Sequence, residues 1–146
     1  MVCLKIYPAT KIKLLKFISF FVLLLFVTGS SFAITEKELR EIANDLNRDV
    51  PTMIDRDTQL YSVQGGPGLQ LTYYNKLIHY SSTVFSSSQK AKLKKEQDIS
   101  IKKRFCSNPD IRYYFFKNKV HIRCYYEWAD GVFFTEVFVY PSDCGF

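Results

Sequence analysis

Histidine is scarce in this chain: His79 and His121 are the only two in 146 residues. Neither sits in an HExxH pattern, and GxSxG, GxGxxG, P-loop and CxxC spacings are also missing. Those patterns are the local marks of zinc and serine hydrolases, dinucleotide enzymes, nucleotide hydrolases and dithiol redox proteins. Two separated histidines and scattered cysteines match no metal-ligand spacing either. The sequence therefore assigns no catalytic residue, no metal ligand and no cofactor. Asp55 and Asp57, two apart around Arg56, would share one strand face, where they read as a solvated edge rather than an acid/base pair. Acid is absent altogether before Glu36. Glycine and proline are sparse, at 6 and 5, while 13 Phe and 10 Tyr supply material for a packed core, which argues against disorder.

What fills the acid-free end is a targeting pattern. Lys5, Lys11, Lys13 and Lys16 precede an apolar run over 17–27, and Thr28, Gly29, Ser30, Ser31, Phe32 and Ala33 follow. A basic segment, a short apolar segment and small residues at Ser31 and Ala33 make up a secretory signal peptide, with cleavage expected after Ala33. The apolar run falls short of the about 20 residues that span a bilayer, and membrane attachment arises only if the leader is retained as an anchor. Of the whole chain's net charge of +6, the four leader lysines carry four, leaving +2 for residues 34–146. A nucleic-acid reader shows a stronger basic footprint than that, so no nucleic acid is assigned as partner.

The remaining segment is of single-domain size. Thr35 and Glu38 have capping-box spacing, and Leu39, Ile42, Ala43 and Leu46 recur with helical period, which predicts a helix over 36–47 ended by Pro51. "TMIDRDTQLYSV" and "LQLTYYNKLIHY" read as two strands around a Gly-Gly-Pro-Gly break, an antiparallel pair. Serines 86–88 offer an N-cap for a helix over 89–105, with Leu93, Ile101 and Phe105 on its one thin apolar face. Its seven basic and two acidic residues between Lys90 and Arg104 read as a solvated face. Asn108 or Ser107 with Pro109 starts a short third helix that Asn118 closes. "KVHIRCYYEW" and "VFFTEVFVY" then flank Asp130-Gly131, a strong hairpin cue. The order α-β-β-α-α-β-β predicts an α+β domain over 34–146, with a mainly antiparallel sheet of about four strands and helices on one face.

Cys3 leaves with the leader, so an exported chain holds Cys106, Cys124 and Cys144. An oxidising compartment favours one bridge. Cys106 and Cys144 lie outside regular elements and are assigned as the pair, while Cys124, among Val120, Ile122, Tyr126 and Trp128, reads as a buried thiol.

A two-residue Asp130-Gly131 turn sets Trp128 opposite Phe133, Tyr126 opposite Thr135, Cys124 opposite Val137 and Ile122 opposite Val139 on an apolar face. The other face then carries His121, Arg123, Tyr125, Glu127, Phe134, Glu136, Phe138 and Tyr140. Aromatics and arginine on a solvated sheet face have the composition of a binding surface. Arg123, Tyr125, Phe134, Phe138 and Tyr140 are accordingly the candidates for contact with a protein partner.

The series "LNRDVPTMID", "LTYYNKLIHY", "RFCSNPDIRYYF", "YYEWADG" and a terminal "DCG" resembles a group of small exported bacterial proteins known chiefly from sequence. The resemblance implies a Gram-negative periplasmic or extracellular setting and supports Cys106 with Cys144 as the outer pair. It implies no activity and transfers no functional residue. The function expected from the sequence is that of an exported interaction module. An exported hydrolase-like enzyme with a dispersed site and an inner-membrane-anchored accessory subunit are the alternatives.

Overall fold

The computed structural model of the chain describes residues 33–146, so the expected leader lies outside the described residues except for Ala33. Helix α1 spans Glu36–Leu46. The hydroxyl of Thr35 accepts from the Glu38 N–H, and the Glu38 carboxylate accepts from the Thr35 N–H at 2.8 Å, which closes the capping box. These bonds hold the Glu38 carboxyl below its ordinary pKa, the backbone bond from Thr35 contributing most. Strands β1 (Thr52–Met53), β2 (Thr58–Gly66) and β3 (Gln70–Leu77) follow, then helices α2 (Ser87–Ser107) and α3 (Pro109–Tyr114), then β4 (His121–Trp128) and β5 (Phe133–Val139). No helix among the described residues is long and apolar enough to cross a membrane.

The sheet is five-stranded and ordered β1-β2-β3-β4-β5, with the strands in chain order. Three of its pairings are antiparallel, but β3 and β4 run parallel, from Gln70 opposite His121 to Leu77 opposite Trp128. The expected four-stranded antiparallel sheet is thus corrected to a five-stranded mixed one. The long crossover through α2 and α3 is what permits parallel pairing, because parallel neighbours need a connection of a dozen or more residues. Asp55 and Asp57 do not share a strand face: the chain turns there, the Ile54 N–H donating to the Thr58 carbonyl and the Asp57 N–H to Asp55 Oδ1.

Both long helices cover the same face of the sheet. Leu39 and Ala43 of α1 are buried, and α1 approaches β2 so closely that a Cβ on Gly65 would lie 2.7 Å from the Leu39 carbonyl carbon. Asn47, just past α1, exchanges two hydrogen bonds with the Val63 backbone, at 2.7 and 2.6 Å. In α2 the expected thin stripe forms, with Ile101 and Phe105 buried, and Phe105 packs on Tyr73 of β3 at 6.2 Å between ring centres. Val63, Leu71, Tyr73, Leu77, Ile122, Cys124, Tyr126, Trp128, Val137 and Val139 complete this core. Cys124 lies buried within it, outside the disulfide. Cys106 and Cys144 are bridged across 38 positions, tying the end of α2 to the turn over Pro141–Cys144. Arg112 Nη1 donates to the carbonyls of both cysteines, at 3.2 and 2.9 Å, and so seats α3 on the bridge.

The hairpin between β4 and β5 departs from the expected register near its tip. Only Gly131 takes a positive φ, 79°, and its N–H donates to the Trp128 carbonyl while the Trp128 N–H donates to Val132. A two-residue type I′ turn needs positive φ at both central residues. The loop is therefore three residues, which shifts the partner of Trp128 from Phe133 to Val132. A bulge opposite Glu127 then absorbs the shift, and from Tyr126–Thr135 down to Ile122–Val139 the pairs match the sequence-based register. Phe134 is the extra residue of that bulge. It turns inward, 3% exposed, against Trp128 at 4.2 Å, while Phe133 is outside at 49%. The assignment of Phe134 to the outward face is corrected accordingly.

Candidate functional site

With α1 and α2 on the core side, no helix among the described residues covers the opposite face of the sheet. Parity puts His121, Arg123, Tyr125 and Glu127 of β4 there, each half-buried. β5 adds Phe133, Glu136 and Phe138, with Tyr140 just beyond its end, and β3 adds Tyr74 and Lys76. A bulge between Leu60 and Ser62 of β2 turns one more aromatic, Tyr61, to this side.

These side chains form a continuous band across four strands. Ring centres are 6.1 Å apart for Tyr61–Tyr74, 5.4 Å for Tyr74–Tyr125 and 5.3 Å for Tyr125–Phe133. A second row starts at His121, stacked on Tyr140 at 5.5 Å, and continues from Tyr140 to Phe138 at 6.0 Å with nearly parallel planes. The Arg123 guanidinium joins the rows, its carbon 5.8 Å from the centres of both Tyr125 and Phe138. Its Nε and Nη2 both donate to Glu136 Oε2, at 2.9 and 2.6 Å. An ion pair at the surface contributes only about 0–1 kcal/mol, so its main effect is positional, holding the guanidinium over the rings.

A second charged cluster closes the other end of the band. Lys76 Nζ lies 3.0 Å from Glu127 Oε1, and the Tyr61 hydroxyl donates to Glu127 Oε2 at 3.2 Å. Burial first, and then the Glu127 charge, push the Tyr61 phenol up to about 12. The phenol therefore remains a neutral donor over the physiological range. His121 is held below its ordinary pKa by burial.

Of the five side chains expected at a partner surface, Arg123, Tyr125, Phe138 and Tyr140 come together on this face and Phe134 does not. Tyr61, Tyr74 and Phe133 were not among them. The signal for Tyr74 and Lys76 was the parity of "TYYNK", but it has meaning only once β3 is known to lie beside β4. His79 and His121 do not converge: His121 pairs with Gln70 at one end of β3, and His79 lies beyond Leu77 at the other. Among the described residues no group of three His, Cys, Asp or Glu side chains could hold a metal ion.

No protein-family model matches the chain, and no curated protein matches it by sequence. Solved structures do resemble it. A protein of Pseudomonas aeruginosa inferred to be secreted superposes with a TM-score of 0.59 at 13% identity, over 75% of this chain and 91% of that one. The pilotin EpsS of the Vibrio vulnificus type 2 secretion system gives 0.58 at 12% identity, over 75% and 90%. At such identities the likeness shows a shared fold.

Proposed function

We propose that this chain is an exported interaction protein that binds a protein partner on the open face of its sheet. The observation that carries the reading is the band Tyr61–Tyr74–Tyr125–Phe133 with Arg123, Phe138 and Tyr140, left uncovered by α1 and α2 on the far side. Aromatic and arginine side chains dominate binding energy at protein interfaces, and here ring contacts and the Glu136 pair already fix their rotamers, which lowers the ordering cost of association. Export is supported by the tripartite pattern before Ile34, by the bridge between Cys106 and Cys144, and by structural neighbours that include an inferred secreted protein and a secretion-system pilotin. In this reading residues 1–33 are removed on export. Intact-mass analysis of exported protein should find a chain beginning at Ile34, and a retained leader would favour the anchored alternative.

The binding reading is tested by neighbouring substitutions on β5. Phe138→Ser removes a ring from the open face and should change folding stability by no more than about 1 kcal/mol. It should nevertheless weaken capture of the partner from the native host by about 1–2 kcal/mol, roughly a five- to thirtyfold change. Val137→Ser, one residue away but buried, should lower stability clearly more, by loss of apolar contact and burial of a hydroxyl. Capture unchanged by Phe138→Ser in a folded protein would remove the binding role from this face.

A further inference from the structure

At the foot of the open face, where β5 ends, the surface dips into a concavity lined by Lys117, Lys119, His121, Tyr140, Pro141, Ser142 and Phe146. Two of the seven carry cationic side chains and none carries an acidic side chain. Its aromatic walls are held in place. His121 Nε2 is 3.1 Å from Gln70 Oε1 and its ring stacks on Tyr140, while the Arg112 guanidinium lies 4.7 Å from the centre of the Phe146 ring. Tyr140 and Phe146 still leave about half of their surface open, at 46% and 51%.

The backbone at Lys119 is the second observation. It caps the turn over Phe116–Asn118 in the left-handed conformation, φ 63° and ψ 17°, its N–H donating to the Phe116 carbonyl at 3.0 Å. Glycine or asparagine takes that conformation far more readily than lysine. Of the two non-glycine residues with positive φ, Leu69 and Lys119, the second borders the concavity, and such backbone outliers cluster at ligand sites. Here the disfavoured residue is one of the two lysines lining the concavity.

We propose that this concavity binds a carboxylate carried on an aromatic group, the ring packing on Tyr140 and Phe146 and the carboxylate accepting charge-assisted hydrogen bonds from Lys119 and Lys117. A free aromatic acid and the C-terminal aromatic residue of a peptide share this chemistry. The site adjoins the open face and shares His121 and Tyr140 with it, so the two readings are separated at residues that only one of them uses: Lys119→Gly should leave Phe138-dependent capture intact, and Phe138→Ser should leave the preference for the acid over its neutral amide.

The test follows backbone amide shifts in the purified protein during titration with N-acetyl-L-phenylalanine, N-acetyl-L-phenylalaninamide and inorganic phosphate. The acid should give saturable shifts at Lys119, His121 and Tyr140, while the neutral amide and phosphate each bind at least tenfold more weakly. Lys119→Gly should weaken binding of the acid at least fivefold while the melting temperature stays level or rises, because glycine relieves the backbone. Lys117→Gln should weaken it similarly, with at most a small fall in melting temperature from loss of the ammonium that lies 5.0 Å from the centre of the Tyr113 ring. A peptide ending in phenylalanine that binds more tightly than the free acid would identify the chain-terminal form, and the reverse order the free one. Equal binding of acid and amide, phosphate binding as tightly as the acid, or full binding by Lys119→Gly would overturn the proposal.

Discussion

The two faces of β4 differ sharply in exposure, although their residues alternate along one strand. Ile122, Cys124, Tyr126 and Trp128 are at most 2% exposed, while His121, Arg123, Tyr125 and Glu127 between them stay half-buried and reach solvent. Composition alone does not separate them, since both sets contain aromatics. What separates them is cover. The helix-side core closes over the first set, with Phe85 stacked on Trp128, and the second is left to stack on itself and to pair its charges internally. A strand side chain is thus assigned by parity, and parity holds only as far as the register does. At Phe133 and Phe134 one extra residue reverses the assignment of two adjacent, identical side chains.

That contrast can be broken from either side. The largest effect should come from Cys144→Ser, which opens the bridge beneath the covered face. A loop of 38 positions implies a loss of about 4 kcal/mol by the chain-entropy account, read as a lower midpoint in denaturant. At temperatures where the variant is fully folded, partner capture should be unchanged. Next comes the phenylalanine pair at the bulge. Phe134→Ala should cost about 3–5 kcal/mol as a buried truncation, and Phe133→Ala no more than about 0.5 kcal/mol as an exposed one. Equal costs would mean that the bulge does not form. The smallest effect is at Tyr61 on the open face. Its phenol titrates near 10 when unfolded and at about 12 in the fold, so the folded state holds the proton more tightly. The stability from Tyr61 is therefore complete below pH 10 and lost as pH rises toward about 12. Tyr61→Phe should remove that part of the alkaline decline, measured as the difference between the two melting profiles.

Local signals in the sequence carried the local structure. Thr35 with Glu38, Ser86 with Gln89, and Asn108 before Pro109 all cap helices as their side-chain chemistry dictates. Left-handed geometry was less legible: closure after the third helix falls at Lys119 rather than at Asn118, and nothing in a lysine signals it. The parallel pairing of β3 with β4 was hidden for a different reason. It joins segments about fifty residues apart, and no turn residue marks it. Without that pairing, Tyr61 and Tyr74 could not be placed beside Tyr125, so half of the aromatic band was unreadable while the β4–β5 half was not. The Asp130-Gly131 cue was read correctly as a hairpin and wrongly as a two-residue loop. Asp130 instead caps its surroundings, accepting from the Ser82 N–H and hydroxyl at 2.8 and 2.7 Å and from the Val132 N–H at 3.2 Å.

The most direct measurement of the central claim is site-specific photo-crosslinking in the native host. A photoreactive phenylalanine analogue would be placed at Phe138 on the open face and, separately, at Ser100 on the exposed surface of α2. The account predicts one discrete protein adduct from position 138, lost when Tyr125→Ala is added, and none from position 100. Adducts from position 100 alone, or the same adducts from both positions, would contradict it.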